Sequence, residues 1–285
     1  MTDTNTIFTR TVPFVMERHY FGETKKTSMD PVQLDGIEAA EQQRTKALLS
    51  LQKRLINSPE MRAVRTCDAT FRRFLLSVAT PFRPGMYLVP VGLVERVDAT
   101  ARLWEAERND LADAATTAYP AHVQEMRAPL GALFNDADYP TPEVFRSRFW
   151  TECRFVDFGV ASAVRTLRAD IFQRETAKLE RQAAEARTLI EQHLRGSLLE
   201  ITQHLRGLLV PKASGKRSAL RANCLDDLSA FLATVEQRNV TGDHQLSAVV
   251  TQLRRVASTL DLEILRTDEE LRNRSAHEMT TIATQ

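Results

Sequence analysis

Hydrophobic residues recur along this chain at spacings of three and four, the pattern of amphipathic helices. The strongest run follows Gly159. Val164, Leu167, Ile171, Leu179, Ala183, Ala186, Ile190, Leu194, Leu198, Ile201, Leu205 and Leu208 keep helical register with one gap at Glu175. No proline or glycine interrupts the run before Gly196. This predicts one continuous helix of roughly fifty residues over 161–210, about 70 Å long. So narrow a seam on so long a rod suits coiled-coil or antiparallel-hairpin packing. Ile190, Leu194, Gly196, Leu198, Ile201, Leu205, Gly207 and Leu208 are its candidate interaction residues. The seam holds a short repeat, Gln-His-Leu-Arg-Gly at 192–196 and again at 203–207. An offset of eleven residues is close to three turns, so both copies fall on nearly the same face. Gly196 and Gly207 would then admit a closely packed partner helix.

Elsewhere the pattern alternates between helix and extended signals. Residues 1–30 carry Phe8, Val12, Phe14, Val15, Tyr20 and Phe21 with Pro13 among them, which predicts a strand or an extended arm. Asp30-Pro31-Val32-Gln33 has the form of a helix start, with Ile37, Leu48, Leu51 and Leu55 in helical spacing after it. Ser58-Pro59-Glu60 repeats the signal for a helix to about residue 79. Thr80 to Gly85 predicts a turn, and Met86 to Val91 an extended segment. Further helices are predicted over 92–118, 120–135 and from Thr141-Pro142-Glu143 to about residue 150. Residues 151–160 read as extended and could pair with the N-terminal arm in a small sheet. After a break at Pro211 to Gly215, helices are expected over 217–236 and 244–261. Thr267-Asp268-Glu269-Glu270 forms a capping box for a last helix. The expected fold is thus mostly α, an elongated helical bundle with one long helix and minor extended segments. The expected parts are an arm at 1–30, a helical domain at 31–160 with a central apolar turn at 74–94, and the long helix with C-terminal helices packing back over 161–285.

Composition sharpens this picture only in places. Of the 285 residues 43% are hydrophobic and 26% charged, enough for a packed core. Ten glycines and eleven prolines are few, which favours long elements over a many-stranded sandwich. The formal net charge is +1, so no basic footprint for nucleic acid exists over the whole chain. Only seven of the 38 basic residues are lysine, and arginine is the better partner for carboxylates in bidentate pairs. Cys67, Cys153 and Cys224 are dispersed and odd in number, which suits free thiols in a reducing compartment. The N-terminus lacks a basic segment followed by an apolar run, and no stretch approaches the ~20 apolar residues of a spanning helix. The expected location is the cytoplasm.

Candidate chemistry is thin. Ser214-Gly215-Lys216-Arg217-Ser218 resembles the end of a phosphate-binding loop. The motif, however, needs glycine at 210 and serine or threonine at 217, where Val210 and Arg217 stand. His193 and His204 lie about 16 Å apart along a helix, too far to share one metal ion. His277-Glu278 lacks the second histidine of a metalloprotease helix. Asp226-Asp227 and Glu269-Glu270 are sequence neighbours whose side chains diverge on a helix and cannot flank one bond. No catalytic, cofactor or metal residue is assigned, and a non-enzymatic role is expected. Arg72-Arg73, Arg254-Arg255 and Arg272/Arg274 are small basic clusters that would support at most weak nucleic-acid binding. The runs 74–82 and 86–94 resemble in outline the concealed tongue of helical pore-forming proteins. Phe74, Leu75, Leu76, Met86, Tyr87, Leu88 and Val89 are its candidate members. Against it, each run is short, and Pro81 and Pro90 would disrupt a membrane hairpin, so a core crossing is the competing reading.

Several strings resemble one bacterial and bacteriophage domain family of unassigned function. They are residues 55–93 (LINSPEMRAVRTCDATFRRFLLSVATPFRPGMYLVPVGL), 130–140 (LGALFNDADYP), 155–160 (FVDFGV) and 231–239 (FLATVEQRN). The resemblance covers about residues 35–255 and rests on packing and turn signatures. Members are often encoded beside a MoxR-type AAA ATPase and a protein with a von Willebrand factor A domain. The resemblance implies a helical adaptor or substrate in such a system and carries over no functional residues. Three expectations follow: contact with a protein partner, with itself or with that ATPase system; membrane action through the tongue; or weak nucleic-acid binding through arginine clusters.

Overall fold

The structure, a computed structural model, describes residues 6–28, 39–159, 168–210, 225–258, 260 and 262–283. Helices make up 72% of these residues and the rest includes small antiparallel sheets, so the chain is mostly α. The elements in order are α1 (Thr6–Arg10), β1 (Thr11–Arg18), β2 (Thr24–Thr27), α2 (Ala39–Leu48), β3 (Leu51–Arg54), α3 (Pro59–Val78), β4 (Thr80–Arg83) and β5 (Met86–Pro90). After them come α4 (Val94–Leu130), α5 (Pro142–Ser147), β6 (Thr151–Phe155), α6 (Ala169–Leu209), α7 (Asp226–Arg238), α8 (His244–Ala257), α9 (Leu262–Thr267) and α10 (Glu269–Ala283). Among the described residues no helix is long and apolar enough to cross a membrane.

Contacts divide the chain into two compact units that interleave in sequence. The first comprises Met1–Val15, Phe74–Asp98 and Arg154–Gln285; the second comprises Met16–Arg73 and Ala99–Cys153.

In the first unit, β4 and β5 form a hairpin on which β1 and then β6 extend the sheet, in the order β4-β5-β1-β6. The arm at residues 1–30 and the segment at 151–160 therefore do contribute neighbouring strands. Pro84 and Gly85 make the hairpin turn. Gly85 has φ of 73°, and proline followed by a left-handed glycine is the type II turn pattern. β1 pairs antiparallel with β5, Thr11 opposite Pro90 and Val15 opposite Met86. Pro13 is tolerated inside this sheet because its carbonyl accepts Val156 N–H at 2.9 Å. A residue's N–H and C=O point to the same neighbour, so the missing donor faces β6 and leaves the β1–β5 ladder intact.

Helix α6 is 41 residues long, which corrects the expected length of about fifty. Its N-cap Arg168 is extended (φ −148°, ψ 105°), and Val210 is extended at the other end. Val164 and Leu167, expected in the seam, lie outside the described residues, as do Asp30 to Gln33, Cys224 and the Ser214 to Ser218 loop. Ile190, Leu194, Leu198 and Leu205 are buried against α7, α8 and α10, where Phe231, Val235, Leu253, Met279 and Ile282 meet them. Ile201 and Leu208 pack on the same core from its edge, and Phe82 and Leu88 of the hairpin join it. The apolar seam is therefore covered from within the chain. Gly196 and Gly207 behave differently. Each is exposed, and a Cβ built on either would meet nothing within 4 Å. Gly196 lies two residues, about 200°, from Leu194 and so faces the other way. The close helix approach expected at these glycines is not made among the described residues.

Helix α3 begins as its sequence dictates. The Ser58 hydroxyl accepts Met61 N–H at 3.1 Å ahead of Pro59, and Met61, Val64, Phe71, Leu75 and Val78 are its buried face. Two helical expectations fail in the second unit. Over the described residues 39–57 the expected helix does not continue: α2 ends at Leu48, which is 87% exposed, and Leu51 opens β3, paired with β2. Its apolar positions are too sparse to form a stripe, and Leu55 and Ile56 are buried instead in a cluster with Met61, Val64, Ala112, Ala115, Phe145 and Phe149. Conversely, the two helices expected either side of Pro120 are one. α4 runs through Pro120 and Pro129. Tyr119 secures the passage: its ring stacks on Phe145 at 4.1 Å and its hydroxyl donates to Pro140 O at 3.0 Å.

The candidate tongue is a hairpin plus the last turn of α3. Leu75, Tyr87, Leu88 and Val89 are buried; Phe74, Leu76 and Met86 are half-buried. These side chains are interior packing of the first unit, the competing reading of the same pattern.

Candidate functional site

The second unit presents a surface feature that apolar periodicity could not reveal. Where β1 ends, His19 and Tyr20 emerge onto the surface, and Trp150 emerges just ahead of β6. Trp150 is 47% exposed and Tyr20 37%. The His19 and Trp150 rings lie parallel, 3° apart in plane, with centroids at 6.0 Å. His19 N–H donates to Trp150 O at 2.9 Å. The His19 Nδ1 lies 2.9 Å from Arg148 O. A carbonyl only accepts, so Nδ1 carries the proton in this contact.

The pair is held from behind. His19 O accepts Arg108 Nη2 at 2.8 Å. Arg108 is 1% exposed, and its Nε donates to Asp68 Oδ1 at 2.9 Å, while Arg18 Nε stands 3.6 Å from Asp68 Oδ2. Phe71 stacks on Trp104 at 4.6 Å beside this network, and the Arg108 guanidinium lies 5.9 Å from the Trp104 ring centre. A buried ion pair contributes little net stability against an apolar replacement. Its geometric effect here is to pin one backbone carbonyl and hence the exposed ring beside it. Trp150 is fixed from its own side as well. Its neighbour Phe149 is buried against Phe145, and Arg146 Nη1 donates to Phe149 O at 3.3 Å. Exposed aromatics with rotamers fixed in advance lose little entropy on being covered, and Trp, Tyr and Arg dominate interface anchors. Arg148 is exposed next to Trp150.

A second convergence lies in the first unit, at the C-terminus of α3. Helix ends leave carbonyls without partners. His193 Nε2 lies 2.9 Å from Leu76 O, Arg238 Nη2 3.5 Å from the same oxygen, and Thr234 Oγ1 donates to Ser77 O at 3.5 Å. Arg238 is 4% exposed, and burial lowers its pKa to about 10. A cation at a helix C-terminus is stabilised by the helix dipole, which explains a buried arginine in this place. Burial, and then the charge of Arg238, push the His193 imidazole below its ordinary value. The strings at 55–93 and 231–239 and the first repeat copy thus meet at one helix end. His204, in the second copy, is exposed.

The two described thiols, Cys67 and Cys153, are unsuited to nucleophilic chemistry. Burial pushes Cys67 up to about 11 and Cys153 up to about 12, with nearby glutamates adding to it. Among the described residues no group of three histidine, cysteine or acidic side chains could hold a metal ion. The basic clusters have different surroundings: Arg272 is buried, Arg254 pairs with Glu236, Arg274 stands near Glu278, and Arg72 and Arg73 are exposed. Comparison of the chain with protein-family models, with curated proteins and with solved structures finds no match.

Proposed function

We propose that this protein acts by protein–protein contact, without catalysis of its own, and that the Trp150–His19 pair with Tyr20 and Arg148 is the anchor of that contact. One observation carries the reading: a tryptophan half open to solvent whose orientation is set by a stacked histidine, which a buried arginine–aspartate pair holds in turn. The partner we propose is a protein in the cytoplasm, and on the resemblance of residues 55–93 and 231–239 the first candidates are a MoxR-type AAA ATPase and its von Willebrand factor A-domain companion. Self-association, the other contact we consider, would not use the apolar seam of α6, because that seam is already covered. Membrane action is the weaker reading, since the tongue residues would have to leave the core.

The test is direct binding between the purified chain and the ATPase and A-domain proteins of its host, with the molar mass of the free chain measured by light scattering at micromolar concentration. Trp150→Ala should weaken the contact by about 2 kcal/mol or more, the size of an anchor residue, while leaving the melting temperature near that of the parent. Unchanged affinity in that variant, or neither hetero- nor self-association in the parent, would remove the proposal.

A further inference from the structure

Past Pro120, α4 runs on to Leu130 with no fully buried side chain; Val123, Met126 and Leu130 are half-buried. The segment is bounded at one end by a proline that interrupts the hydrogen-bond ladder. At the other, Gly131 has φ of 48° and Lys53 Nζ donates to Leu133 O at 2.5 Å. His122 sits at the start of this strap. Its Nε2 is 2.9 Å from Glu60 Oε2 in the first turn of α3, and its Nδ1 is 2.9 Å from Glu125 Oε2 one turn along α4.

Ionised carboxylates only accept hydrogen bonds. Both ring nitrogens must therefore donate, which only the imidazolium can do; a neutral ring would turn a lone pair toward one carboxylate. Glu60 stays ionised because a backbone amide at the helix start lowers its pKa, with His122 and Ser58 assisting against burial. Burial of the imidazole opposes its charge, but hydrogen bonds and attraction from Glu125 and Glu60 outweigh it and raise its pKa above the ordinary value. Those two carboxylates, one from each helix, are the groups in ion-pair contact with the ring.

We propose that Glu60, His122 and Glu125 form a proton-operated clamp that fastens the end of α4 to the start of α3, closed while the imidazole is protonated and released as pH rises. A histidine raised in the folded state contributes stability fully present below its unfolded value of ~6.5, and that contribution is lost as pH climbs through the folded value. Release loosens the start of the strap after Pro120, while the Arg127–Asp136 and Lys53–Asp138 pairs keep its far end and the following loop in place.

The full chain is followed by imidazole NMR and by amide hydrogen exchange over 121–132 between pH 6 and 9, corrected for intrinsic exchange rates. The expected result is a His122 titration midpoint above ~6.5, with protection of 121–132 falling through the same range. Glu125→Gln, which alters an exposed carboxylate, should lower the midpoint and shift the loss of protection to lower pH. His122→Gln should leave the strap poorly protected at every pH. A midpoint at or below that of a free imidazole overturns the clamp. So does strap protection that ignores pH in the parent and is unmoved in Glu125→Gln.

Discussion

Arg108 carries a full charge into the interior and spends it on two acceptors, the Asp68 carboxylate and the His19 carbonyl. Removing it leaves Asp68 buried with Arg18, at 3.6 Å, as its other ion-pair partner among the described residues. Arg108→Ala should therefore cost about 3–5 kcal/mol, as breaking a buried pair does, whereas replacing both partners with apolar residues should cost far less. Urea denaturation of the single and double variants checks the sign and the non-additivity. His193 is the opposite kind of residue, a base kept neutral by burial and by Arg238. Its folded pKa is depressed, so its contribution is present above ~6.5 and is lost as pH falls through the folded value. Unfolding midpoints measured from pH 8 down to pH 5 should fall less steeply in His193→Gln than in the parent. Equal slopes would place the acid sensitivity elsewhere.

Among the elements, α6 offers the cleanest experiment. Gly196 and Gly207 sit in helix interior with open space where a Cβ would go. Glycine costs a helix about 0.5–1 kcal/mol relative to alanine. Gly196→Ala and Gly207→Ala should each raise stability by about that amount, additively, because the sites are about 16 Å apart. Thermal melts of the two singles and the double read this directly. A loss of stability would mean the glycines meet something the isolated chain does not show. These glycines also mark how far periodicity can be read. The repeat predicts which residues share a face, but not whether that face is covered. Leu194 and Gly196 belong to one seam on paper and point to opposite sides in the fold. Pro120 shows the same limit: it breaks a local ladder, and the packing of Tyr119 on Phe145 carries the helix through.

For the whole molecule the decisive fact is interleaving. The first unit is built from three stretches of chain, and its core joins Phe82 and Leu88 from the hairpin to Ile190, Phe231 and Met279. A fragment starting at residue 161 would lack the sheet and those hairpin side chains. We expect it to keep helical circular dichroism while losing dispersed NMR signals and binding a hydrophobic dye, as a chain without specific packing does. A cooperative melt like that of the parent would show that the C-terminal helices need nothing from the N-terminal half.

Local chemistry was sufficient to place what depends on near neighbours in the chain. The starts of α3 and α5, with their capping side chains and prolines, the buried face of α3, the extended character of β1, β5 and β6, and the predominance of helix all follow from spacing, caps and turn residues. Tertiary structure alone decided which apolar edges were covered, that Leu51 joined a strand, and that β1 lay between β5 and β6. It also decided that Arg108, His19 and Trp150 formed one supported surface feature. Periodicity reports the angle at which a side chain leaves its own backbone. What waits at that angle is set by segments more than a hundred residues away, as Trp150 is from His19, and pattern within a window carries no information about them.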